Sequence, residues 1–170
     1  MENIELLRIA EEAKRMLSGS ASVFIYQYLF LDTKGETCFN GAAERYLRDL
    51  SGLIAKLGKS VTLIQIGDES SREIWHRNIA GMEVLGLPCS FSDYSKVAEL
   101  LPAAPLNIYS GCLNFRKYHY PNILISHGVT RDRPDADYNP DDLRLRLEGA
   151  DTPVSVDSNT LSCFRSFPAK

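Results

Sequence analysis

The stretch that most constrains this chain runs from Ser22 to Gly67. An aromatic and β-branched segment, SVFIYQYLF (22–30), is followed by a polar loop, LDTKGETCFN, a long helical stretch, and SVTLIQIG (60–67). In the helical part Ala43, Tyr46, Leu47, Leu50, Leu53, Ile54 and Leu57 recur at the spacing of one helix face. Glu44 with Arg48, and Arg45 with Asp49, are spaced to pair at i,i+4 on the other face. Gly58 stands where a left-handed residue closes a helix. The second strand is almost continuously apolar, as expected for a parallel strand covered on both faces. A strand, a helix and a parallel strand joined by a right-handed crossover are therefore predicted.

The alternation continues along the chain. Residues 3–17 read as a helix with Leu6, Ile9, Ala10, Ala13, Met16 and Leu17 on one face, ended by Ser18-Gly19-Ser20. MEVLGL (82–87) is a short strand, and SDYSKVAELL (92–101) a helix with Ser92 as its N-cap. LNIYSG (106–111) and NILISHG (122–128) are two more strands. NPDDLRLRLEGA (139–150) reads as a helix capped by Asn139, TPVSVDSN (152–159) as a last strand, and TLSCFRSF (160–167) as the start of another helix. SREIWHRN (71–78) reads as a connecting segment in which Trp75 and His76 pack locally. These elements predict an α/β fold with a Rossmann-like, doubly wound, mostly parallel sheet. The 170 residues suit one domain, over residues 21–170, preceded by an extension helix in residues 1–20. That extension is a dimer contact, a sheet-covering helix or the end of an upstream domain.

The net charge of −3 gives no field that favours nucleic acid. No apolar run reaches the roughly 20 residues of a membrane span, which leaves only peripheral membrane contact open. The N-terminus is acidic and amphipathic, without the apolar centre of a signal peptide. Cys38, Cys89, Cys112 and Cys163 are scattered, with no C-x-x-C pair, so no zinc or other metal site is expected. They read as reduced thiols of a cytoplasmic protein.

In open α/β sheets, ligands bind beyond the carboxyl ends of the strands. Three segments fall there: the loop into Gly41, the turn after Ile108, and SHGVTRD after Ile125. Gly41 either turns the chain and packs the helix, or lets an anion approach the helix start. Neither G-x-G-x-x-G nor a P-loop is present. His127 ends an apolar strand, where its imidazole reaches a sugar hydroxyl or phosphate, or else a neighbouring carbonyl. Asp132 and Arg133 reach the same rim or form a solvated pair. In LNFRKYHY (113–120), Phe115 and Tyr118 are expected to pack inward. No Ser/His/Asp or Cys/His constellation can be assembled.

The order of these segments carries a resemblance. A strand followed by NGAAERYLRDLSGLIAKLGKSVTLI resembles the G-G-A-E-R opening of family 4 glycosyltransferases. Gly41 matches the first glycine, Ala42 replaces the second, and Ala43, Glu44 and Arg45 agree. ISHGVTRD is similar to the strand-histidine-glycine segment of that family, and VSVDSNTLSCFRSFPAK to the stretch before the chain crosses to a second domain. The resemblance covers about residues 22–170 and implies the N-terminal half of a GT-B fold. It implies an acceptor-side domain of a retaining hexosyltransferase of polysaccharide biosynthesis. The nucleotide-sugar donor is then held mainly by a C-terminal domain absent from this chain, which alone is expected to be inactive. It further implies His127 as catalytic, Gly41, Ala42, Glu44, Gly128 and Asp132 as substrate-binding, no bound cofactor, and acceptor choice in loops 67–81 and 111–120. Two rival readings stay open: a non-catalytic α/β module that binds a phosphorylated ligand or a protein partner, and a sugar-nucleotide epimerase.

Overall fold

The structure, a computed structural model, describes residues 3–19, 21–111, 115–127 and 148–156. Its elements in chain order are α1 (Asn3–Leu17), β1 (Val23–Tyr26), α2 (Ala42–Lys56), β2 (Val61–Ile66), β3 (Trp75–Ile79), β4 (Met82–Leu87), α3 (Tyr94–Ala98), β5 (Leu106–Ser110), β6 (Asn122–Ser126) and β7 (Thr152–Ser155). The seven strands form one sheet in the order β3-β4-β2-β1-β5-β6-β7. Every pairing is parallel except that of β3 with β4. The fold is thus the α/β, Rossmann-like arrangement expected. The chain winds from β1 out to β4 and then returns to place β5 on the other side of β1. A reversal of this kind opens a crevice at the carboxyl ends of the two central strands.

Each face of the sheet has its own apolar core, as the alternation of strand side chains requires. On one face Phe24, Tyr26, Ile64, Ile66, Leu85, Leu87 and Tyr109 pack under α1 and α3. On the other, Val23, Ile25, Leu63, Val84, Ile108 and Ile125 pack under Leu47 of α2. The first helix is therefore a sheet-covering one: Leu6, Ile9, Ala10, Ala13 and Leu17 are all buried, while Met16 lies outside the stripe.

Four local expectations need correction. Residues 75–79 are an antiparallel edge strand and not a connecting segment. Trp75 of that strand lies against Gly86 and Gly35, where a β-carbon on either glycine would meet its ring, and its indole N–H donates to Thr33 O at 2.7 Å. The helix after β4 starts at Tyr94 with Asp93 at its N-cap, so Ser92 does not cap it. In the apolar stripe of α2 Leu47 is fully buried and Tyr46, Leu50 and Ile54 pack partly buried on the same core, but its outer members Leu53 and Leu57 are 58% and 77% exposed. Arg48 does not pair with Glu44 but donates to Asn40 Oδ1 at 2.9 Å, because Glu44 turns back towards Gly41. Phe115 and Tyr118 are buried as expected, against Tyr109 at 4.8 and 4.7 Å between ring centroids. The expected helices at 139–150 and 160–167 fall almost wholly outside the described residues.

Candidate functional site

Six residues come together at the carboxyl edge on the α2 side, through side chains or backbone. Ser110 ends β5 and pairs in register with Ile125 of β6. His127 lies two residues beyond Ile125 and so on the same face, diagonal to Ser110. The serine Oγ and His127 Nε2 are 2.7 Å apart. Ser110 is fully buried and the imidazole half-buried. Above them, the ring of Tyr46 meets the imidazole edge-on, with centroids 5.6 Å apart and planes at 77°. Tyr46 is in the second turn of α2, which brings the start of that helix to the same place.

That start is built as follows. Gly41 is the N-cap in extended conformation, exposed, with no side chain to cap the helix; its carbonyl accepts from Arg45 N at 3.1 Å. Ala42 is the first helical residue and is exposed. A β-carbon on Gly41 would meet the carboxylate of Glu44, which folds back over the glycine. An acid in the first turn complements the partial positive charge of the helix start. The space Gly41 opens is thus lined by the helix's own carboxylate.

Burial holds the imidazole of His127 below its ordinary pKa, and the charge of Glu44 acts in the opposite direction. Desolvation prevails, so the ring is neutral at pH 7, one nitrogen carrying a proton and the other accepting. Gly41, Ala42, Glu44 and His127 are therefore brought to one edge, with Glu44 sensed electrostatically by His127. Gly128 and Asp132 lie outside the described residues.

Ser110 and Tyr46 are the members that sequence reasoning missed. Tyr46 fell on the apolar stripe of α2 and read as core. Ser110 had a signal in hindsight: in two adjacent parallel strands, each ending on a polar residue, parity puts Ile108 and Ser110 on the face of Ile125 and His127. A second omission is structural. Gln65, buried in β2, accepts at Oε1 from Phe30 N (3.0 Å) and Leu31 N (2.7 Å), and donates from Nε2 to Leu31 O (3.0 Å) and Ile66 O (2.8 Å). It ties down the loop that leads from β1 to Gly41.

Among the described residues there is no group of three or more His, Cys, Asp or Glu side chains able to hold a metal ion. None of their helices is long and apolar enough to cross a membrane. No family model, curated protein or solved structure matches the chain.

Proposed function

We propose that the chain forms the acceptor side of a GT-B glycosyltransferase, which moves a sugar from a nucleotide-sugar donor to a saccharide or lipid-linked acceptor with retention of configuration. The reading is carried by the convergence of Ser110, His127, Tyr46 and Glu44 beside the start of α2, at the sheet edge where α/β proteins bind ligands. The resemblance through Gly41, Ala43, Glu44 and Arg45 supports it at the same helix start.

In this reading His127 works as a neutral hydrogen-bonding group. When Ser110 donates to Nε2, the proton of the ring sits on Nδ1 and is available to a sugar hydroxyl. Ser110 fixes the tautomer and Tyr46 the ring plane, so the donor is preorganised. Glu44 accepts from a second hydroxyl. Charge that develops on the departing diphosphate is stabilised by basic groups of a companion donor-binding domain.

Transfer from UDP-, GDP- and ADP-sugars tests this, measured for the 170-residue chain and for the chain joined to whatever its gene encodes downstream. Turnover is expected of the joined protein only, and His127→Ala is expected to lower its kcat/KM by about 100-fold. Turnover by the 170-residue chain alone contradicts the split site, and no turnover with any donor sinks the reading. A second reading, a non-catalytic α/β module, is favoured by one observation. The carboxylate of Glu44 already faces Gly41, where a phosphate would approach. That module binds a ligand at His127 without consuming a donor.

A further inference from the structure

Away from His127, the carboxyl edge carries a pair of stacked rings. Tyr28, two residues past β1, lies on Phe91 with centroids 3.9 Å apart and planes at 25°. Phe91 is 60% exposed. Neither ring is free to retract. Tyr28 leans on Tyr94 at 5.6 Å, and the Tyr94 hydroxyl donates to Ile64 O at 2.6 Å inside the core. The turn that holds Phe91 is also braced: Asp93 N and Tyr94 N donate to Ser90 O at 3.1 and 3.0 Å, and Ser90 Oγ donates to Asp93 Oδ2 at 2.9 Å. The result is a rigid apolar platform held out into water at the exit of β4.

Its surroundings restrict what it takes. The neighbouring strand β2 runs out into Asp68 and Glu69, joined to β4 where Gly67 N donates to Leu87 O at 2.6 Å. The hydroxyl and amide of Ser70 hold Asp68 below the usual carboxylate range, so it is ionised at neutral pH. The ring pair reaches across the end of β2, the strand from which these carboxylates leave, and an uncharged ring offers phosphates and anionic lipids no counter-charge. A protein partner would need about 800 Å² on each side, far more than one ring offers. A neutral sugar fits both features, laying a C–H face on the ring while its hydroxyls donate to carboxylates.

Resting on the glycosyl-transfer reading, we infer that Tyr28 and Phe91 form an outer acceptor subsite and that the acceptor is an oligosaccharide and not a single sugar. Tyr28 follows β1 and His127 follows β6, with β5 between them, which separates the two by two interstrand spacings, roughly 10 Å. They also belong to opposite faces of the sheet, since Tyr28 packs with the α1–α3 core and His127 under α2. One pyranose ring does not span both.

The test is saturation-transfer NMR on the 170-residue chain with gluco-, galacto- and manno-configured saccharides, each as a ladder from mono- to hexasaccharide. Affinity is expected to rise with length. Phe91→Ala is expected to weaken the longer saccharides about tenfold and leave monosaccharides unchanged, while Phe91→Trp keeps the length dependence. Near-UV circular dichroism checks that both variants are folded. Monosaccharides that bind as well as tetrasaccharides, a Phe91→Ala variant that binds every length as the parent does, or no saccharide binding at all would each overturn the inference. So would a loss of self-association in Phe91→Ala, which would make the platform a contact between copies. The two failures are separable, because nucleotide-sugar turnover with a monosaccharide acceptor would keep the transferase and remove the outer subsite.

Discussion

At the residue scale, two buried or half-buried polar side chains govern the site. Gln65→Leu fits the space but leaves the amides of Phe30 and Leu31 without their acceptor. Unpaired buried N–H groups cost about 1–3 kcal/mol each, so urea unfolding is expected to show a loss of about 3 kcal/mol. An unchanged midpoint would mean that Gln65 does not hold the loop. His127 predicts a pH effect. Its native pKa is lowered, chiefly by burial. Below the unfolded value near 6.5, the unfolded chain takes up a proton that the native ring resists. The stability contribution is full above that pH and is lost as pH falls from it through the lowered native pKa. In parallel urea melts from pH 8 to 5, His127→Gln is expected to lose less stability on acidification than the parent chain; identical slopes would refute this. Sequence pointed to His127 by its place at a strand end. It was silent on Gln65, which reads there as one polar interruption in an apolar strand.

At the element scale, periodicity located most helices and strands but not what each one covers. The stripe on α1 is a core stripe: Ile9 is 1% exposed and packs within the cluster that holds Tyr94 and Leu101. Ile9→Ala should therefore cost about 3 kcal/mol in urea unfolding, as deletions of buried methyl groups do. A loss below about 1 kcal/mol would show the helix to be a detachable appendage. The edge strand β3 escaped detection for a physical reason. Its segment WHRNI is half polar because three central residues face water, and Trp75, its aromatic residue, lies on two glycines elsewhere in the chain. A residue whose partner is an absent side chain gives no local pattern.

At the scale of the whole molecule, the two cores either side of one sheet should open together. Cys89 reports on this, since it lies in the α1–α3 core at the exit of β4. Burial first, and then the charges of Asp93 and Glu69, push its thiol up to about 12. Iodoacetamide at pH 8, followed by peptide mass mapping, is expected to label the half-buried Cys38 well before Cys89, with Cys89 reacting only as fast as the protein unfolds. Labelling of both at one rate would mean that the α1–α3 layer opens separately. The alternation of strands with helices, the parallel sheet, the cap at Gly41 and the exposed end of the His127 strand all followed from residue order, because they rest on periodicities of two and 3.6 and on glycine geometry. The pairing of Ser110 with His127, the folding of Glu44 over Gly41, the tie from Gln65 and the ring pair of Tyr28 and Phe91 were decided only in the folded chain. Three of them join segments far apart in the chain, brought together by the strand order, and the fourth, Glu44 over Gly41, is a choice of side-chain conformation that no periodicity encodes.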